Sequence, residues 1–142
     1  MSEQDTERAE DQTGEERDEA RQAKAQLEGI RELVEAFEKA EANGTGEERD
    51  EARQAIEEDA LSVEVRSAWH EIDGDSEPGE YCILLCTGGP AVRIIGRLDQ
   101  YSEPESARLE YQDWFTEWQE LILSSEDDAT LLTYAQCFYF GG

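Results

Sequence analysis

The chain has 142 residues, about one domain and long enough for a single core. It sets 37 acidic side chains against 12 basic ones, for a net charge of −25, with 37% hydrophobic residues. The charge is shared, −13 over residues 1–60 and −12 over residues 61–142; such a field repels nucleic acid and anionic membranes and attracts basic protein surfaces.

Residues 1–12 carry no apolar periodicity and read as a disordered acidic tail. The opening MSEQDTERAEDQ has neither the apolar core of a secretion signal nor an arginine-rich amphipathic pattern, and no run reaches the roughly 18 apolar residues of a membrane span. A cytoplasmic location is expected, and Cys82, Cys86 and Cys137 then read as reduced, buried thiols.

An acidic helical hairpin is expected over residues 13–59. TGEERDEARQA stands at 13–23 and again, letter for letter, at 45–55. Each copy opens as a capping box, Thr13-Gly14-Glu15-Glu16 and Thr45-Gly46-Glu47-Glu48, with early acids that favour the positive end of the helix dipole. Ala20, Ala23, Leu27, Ile30, Val34 and Phe37 then form an apolar stripe on one face. Asn43-Gly44 stops the first helix, and the second runs to about Glu58 with Ala52, Ala55 and Ile56 inward. Two matched acidic helix starts would suit a two-fold or periodic target. A plain duplication of a good helix-starting segment is the favoured account, since a pair is too few units for a solenoid.

Over residues 60–142 the period changes to two. LSVEVRSAW (61–69) places Leu61, Val63, Val65 and Ser67 on one face. YCILLCT (81–87) suits a central strand, AVRIIGRLD (91–99) returns with Val92, Ile94 and Gly96 on one face, and ARLEYQDW (107–114) alternates again. DGDSEPGE (73–80), Gly88-Gly89-Pro90 and SEPES (102–106) are turns or loops. Ser125 would cap a last helix that packs Leu131, Leu132, Ala135 and Phe138 on the sheet. The fold class is α+β: an N-terminal helical hairpin, a four-stranded antiparallel meander and a C-terminal helix.

The candidates for chemistry are few. His70 with the three cysteines has the ligand types of a zinc site, but on a strand Cys82 and Cys86 stand about 13 Å apart, too far for one metal ion or a disulfide. His70 ends a strand among acids that are there by composition, and reads as a surface histidine. Gly88-Gly89-Pro90 is too short for a phosphate loop and leads into a strand. Gly141-Gly142 matches the end of ubiquitin-like modifiers, without their flexible basic tail. No catalytic residue, metal or cofactor is expected.

YQDWFTEWQE (111–120) clusters Trp114, Phe115 and Trp118 among Asp113, Glu117 and Glu120. Tryptophans inside an acidic rim fit an interface with a basic partner, and equally a cover over one end of the sheet.

LSVEVRSAWH, ILLCTGGPAVRIIGRLD, LEYQDW and YAQCFYFGG together resemble an uncharacterised family of small acidic proteins carried by phages, plasmids and integrated elements, over about the last 85 residues. The chain departs from it at Trp114-Phe115-Thr116-Glu117-Trp118, where the family has a glycine and a proline between the tryptophans. The resemblance carries no activity of its own; small acidic proteins of mobile elements are often inhibitors of host defence, among them DNA-mimic anti-restriction and anti-CRISPR proteins, and a role of that kind is the expectation.

Helical spacing supports mimicry separately. Acids three or four residues apart on a helix lie about 6 Å apart, close to the phosphate spacing along a strand. Glu28, Glu32, Glu35, Glu38 and Glu41 form one row, and Glu47, Asp50 and Glu51 another. The expected interface is these eight carboxylates with Asp113, Trp114, Phe115, Glu117 and Trp118, and the expected partner is a basic nucleic-acid-binding protein or complex. The alternative is a salt-adapted cytosolic protein. Only Lys24 and Lys39 are lysines, against ten arginines, and the acidity is spread evenly.

Overall fold

The computed structural model describes residues 2–87, 90–113 and 117–140, with side chains described from Ala20 onward. Helix α1 runs from Ser2 to Asn43. At 1.5 Å per residue it is about 63 Å long. Its first turns are rich in Glu, Arg, Ala and Gln, strong helix formers, and helix runs over residues 2–12, where the sequence suggests a disordered tail. It also continues through Thr13-Gly14, so the first copy of the eleven-mer lies mid-helix and starts nothing.

The second copy does start a helix. Thr45 is the N-cap of α2 (Gly46–Asp59), and its hydroxyl accepts from the Glu48 N–H at 3.1 Å. Before it, the chain reverses at Gly44, where an added Cβ would stand 2.7 Å from the Ala40 carbonyl oxygen. The same letters meet different surroundings. Ala23 is fully buried, while its counterpart Ala55 is exposed, against expectation. One residue on, Ile56 takes the contact with α1 and is fully buried. A 100° turn separates the two.

The sheet has five strands where four are expected: β1 (Ser62–Ser67), β2 (Pro78–Cys86), β3 (Ala91–Arg97), β4 (Arg108–Gln112) and β5 (Gln119–Leu121). They form the expected antiparallel meander in the order β1-β2-β3-β4-β5. The added strand is three residues long and pairs Leu109 with Leu121. Tyr81, Ile83, Leu85, Val92, Ile94, Leu109 and Tyr111 are buried on the face that meets the helices. Gly96 stands opposite Tyr81 on that face, and a Cβ there would fall 2.0 Å from the Ser106 carbonyl oxygen, so the position requires glycine.

Helix α3 (Ser125–Gln136) is capped by Ser124, one residue before the expected cap, through the Asp127 N–H at 3.2 Å. Its inward residues are Leu131, Tyr134 and Ala135. Tyr134 takes the place expected for Leu132, since positions i, i+3 and i+4 share a helix face. The Tyr134 hydroxyl donates to Asp59 Oδ2 at 2.8 Å and ties α3 to the end of α2. Ala23, Leu27, Ile30, Val34 and Ile56 share one core with the sheet and α3, so the hairpin is docked on the sheet.

The face of β1 is the main correction. Val63 stands opposite Ile83 and Val65 opposite Tyr81, so Leu61, Val63 and Val65 point to the helix side as the alternation predicts. They are nonetheless 60%, 39% and 48% exposed. Helix α1 lies over β3 and β4, and α2 lies on α1, which leaves the helix-side face of β1 uncovered.

Candidate interaction surface

Glu28, Glu32, Glu35, Glu38, Glu41, Glu47, Asp50 and Glu51 are all exposed. They do not form one straight line. At about 100° per residue, Glu28, Glu32 and Glu35 fall within about 60° of arc, and each further step of three turns the row back by about 60°. Glu38 and Glu41 are thereby brought into a hollow of about 600 Å³ between the helices, beside Phe37, Arg53 and Cys137.

The charge density can be set against that of DNA. Residues 28–41 hold five acidic and two basic side chains, and residues 46–59 hold seven and two, net −8 together. Each stretch spans about 20 Å. Duplex DNA carries about 12 charges over that length. Neither helix alone approaches duplex density; the paired helices reach about two thirds of it.

Two cations of the hairpin are engaged in local pairs. Arg31 donates to Asp127 at 2.9 and 2.7 Å and to Glu28 at 2.8 Å, tying α1 to α3. The Arg31 bonds hold the Asp127 carboxyl below its usual range, and the two carboxylates raise the guanidinium. Among the eight carboxylates, Glu28 is therefore partly neutralised. On α2, Arg53 pairs with Glu57 at 3.5 Å and donates to the Cys137 carbonyl at 3.1 Å.

Arg66, Arg93, Arg97 and Arg108, the four arginines of residues 61–142, sit at the alternate strand positions that face away from the helices. Arg66 pairs with Glu80, and Arg97 with Glu105 at 3.7 Å. Glu110 accepts from Arg93 at 2.8 Å and from Arg108 at 3.0 Å. Burial pushes the Glu110 carboxyl up, and the two arginines outweigh it, holding the group below its ordinary value.

Trp118 of the aromatic segment belongs to this arginine face. The Trp118 ring stacks on the Arg93 guanidinium, 4.0 Å from ring centroid to Cζ. Trp118 therefore lies across the sheet from the helical carboxylates and does not share one surface with them. Asp113 is half-buried just beyond β4, and Glu117 is exposed. Trp114 and Phe115 lie outside the described residues.

His70 is exposed, with Nδ1 2.9 Å from the Glu71 carbonyl oxygen. It lines an open hollow of about 750 Å³ with Arg66, Trp69, Glu80 and Arg97. The register shift between Leu84 and Cys86 breaks the alternation, so Cys86 pairs with the core residue Val92, while Cys82 stays on the arginine face. Gln22 on α1 donates to Cys86 Sγ at 3.7 Å. Burial pushes the Cys137 thiol up to about 11 and raises Cys82 against the pull of Arg93. Both thiols are held protonated at neutral pH, the form that does not act as a nucleophile. Among the described residues, no cluster of three or more His, Cys, Asp and Glu side chains could hold a metal ion, and no helix is long and apolar enough to cross a membrane.

The sequence reading missed the exposed apolar edge formed by Leu61, Val63 and Val65, with Trp69 and Ile72 standing free just beyond it. The signal was present as the alternation of β1, which marks an apolar face without saying whether a helix covers it. The chain matches no protein-family model, no curated protein and no solved structure.

Proposed function

We propose that this chain is an acidic interaction module that competes with nucleic acid for the basic channel of a nucleic-acid-binding defence complex, as anti-restriction and anti-CRISPR proteins of mobile elements do. The observation that carries the proposal is the docked hairpin. Its apolar stripe is locked into the core while its carboxylates point to solvent. A fixed array of charge loses less entropy on binding than a disordered acidic tail. Two helices side by side bring the density close enough to that of a duplex to occupy a lysine-lined groove. The surface that engages is the outer side of α1 and α2, centred on Glu32, Glu35, Asp50 and Glu51. Trp118 plays no part in it, and no bond is made or broken.

The experiment is displacement of a labelled duplex from purified restriction and CRISPR effector complexes, followed by fluorescence anisotropy across a salt series. Competition predicts displacement that weakens steeply toward about 0.5 M salt. Failure to displace duplex from every basic complex tried at low salt contradicts it.

The even division of charge, −13 and −12 between the two parts of the chain, favours a second reading, adaptation to a salt-rich cytoplasm. It predicts a chain that unfolds at low salt and is rescued by molar KCl, which thermal melts followed by circular dichroism decide.

A further inference from the structure

The free edge of β1 is independent of the acidic hairpin. Among the described residues, strand β1 ends the sheet and pairs with β2 alone. Its helix-side face shows Leu61, Val63 and Val65 to solvent, and Trp69 and Ile72 follow at 103% and 98% exposure. An edge strand of this kind, apolar on one face with unpaired backbone groups along its rim, is a template for another strand.

We propose that the occupant is a second copy of this chain, with the two β1 strands pairing antiparallel about a two-fold axis so that Val65 meets Val65. The charges on the opposite face select that register. Neighbours across an antiparallel seam share a sheet face, so a shift by one residue would turn Val63 and Val65 to the wrong side. Among the remaining registers, Val65 opposite Val65 places each Glu64 against Arg66 of the second copy, giving two opposite-charge pairs. A slide of two residues one way sets Glu64 against Glu64, and the other way sets Arg66 against Arg66, arrangements that cross-strand electrostatics disfavours.

The pattern within one copy leads to the same register. Arg97 on β3, Glu80 on β2 and Arg66 on β1 stand in one cross-strand row of alternating sign, and Arg66 already pairs with Glu80. Glu64 of the second copy is the next member of that alternation. On the other face, Val63 and Val65 of both copies form one apolar strip, with Leu61 of each toward the ends.

Two chains of −25 also repel one another, and screening by salt lifts that repulsion. Self-association therefore strengthens as salt rises, opposite in sign to competition for a basic partner, and the two proposals fail separately.

The test is sedimentation equilibrium of the full chain at about 0.3 M NaCl and about 100 µM, conditions that screen charge and populate a micromolar dimer. The expected mass is twice the 16.1 kDa of the chain. Val65→Lys should weaken association by at least about tenfold by placing like charges opposite each other, although it lowers the net negative charge. Glu64→Arg and Arg66→Glu should each give monomers, and mixing these two variants should restore a heterodimer, since every facing pair is then of opposite sign. Circular dichroism confirms that each variant is folded. A monomeric wild type, a Val65→Lys variant that still dimerises, or a mixture that stays monomeric overturns the proposal.

Discussion

Ile56→Ala measures how firmly the acidic hairpin is held. Ile56 is fully buried and is the buried residue of α2. Truncation to alanine removes three carbons, about 2.4 kcal/mol at roughly 0.8 kcal/mol each. The cavity left behind brings the loss to about 3 kcal/mol. Beside its packing on α1, α2 is tied by Arg53 to the Cys137 carbonyl at 3.1 Å and by Tyr134 to Asp59 at 2.8 Å. A helix of 14 residues is marginal without tertiary packing, so the loss should fall on α2 first. Urea unfolding followed by circular dichroism gives the total, and amide hydrogen exchange locates it. The expected result is a stability lower by about 3 kcal/mol, with protection at residues 46–59 falling more than in β2 and β3. A loss under about 1 kcal/mol with unchanged protection, well below the usual range for such truncations, would refute the docking of α2 through Ile56.

The two copies of the eleven-mer should answer differently to the same change. Thr45→Ala removes a cap bonded to Glu48 and should cost about 1 kcal/mol, whereas Thr13→Ala, inside α1, should stay within about 0.5 kcal/mol by chemical denaturation. Glu110→Gln should cost about 1–2 kcal/mol, discounted because its partners Arg93 and Arg108 are partly exposed. The folded-state pKa of Glu110 is depressed, so its contribution is present above the ordinary glutamate value of about 4.5 and is lost as pH falls through the lower folded value. The gap between wild type and Glu110→Gln in urea titrations should therefore narrow from pH 6 toward pH 3. Cys137, buried and raised to about 11, should resist alkylation at pH 8 in the folded chain and react once urea unfolds it.

Local patterns carried what they could. The stripe from Ala20 to Phe37 and the alternation of Val92 and Ile94 revealed helix and strand, because burial there follows the period of the element. Thr13 and Thr45 open identical stretches, so nothing local distinguishes a cap from mid-helix. The difference lies upstream, where strong helix formers carry α1 through Thr13 and Asn43-Gly44 stops it before Thr45. Val63 and Val65 show the same limit in the sheet, since alternation gives the face while the path of α1 over β3 and β4 decides which strand stays bare. Gln119–Leu121 is too short for a period of two to register. The carboxylate positions on α1 and α2 were readable from helical spacing, and all eight face solvent. The place of Trp118 was not, because its stacking on Arg93 depends on how β4 and β5 meet.

Net charge alone and charge ordered on the hairpin make different demands, and one comparison of variants separates them. Glu32, Glu35, Asp50 and Glu51 on the hairpin, or Glu71, Asp73, Asp75 and Glu77, also exposed, in the β1–β2 loop, are changed to their amides. Each variant loses four charges, and each is titrated against a duplex-bound defence complex by anisotropy. Ordered competition predicts that the hairpin variant loses displacement by at least about tenfold while the loop variant keeps it. Equal loss in both, or none in either, would contradict it.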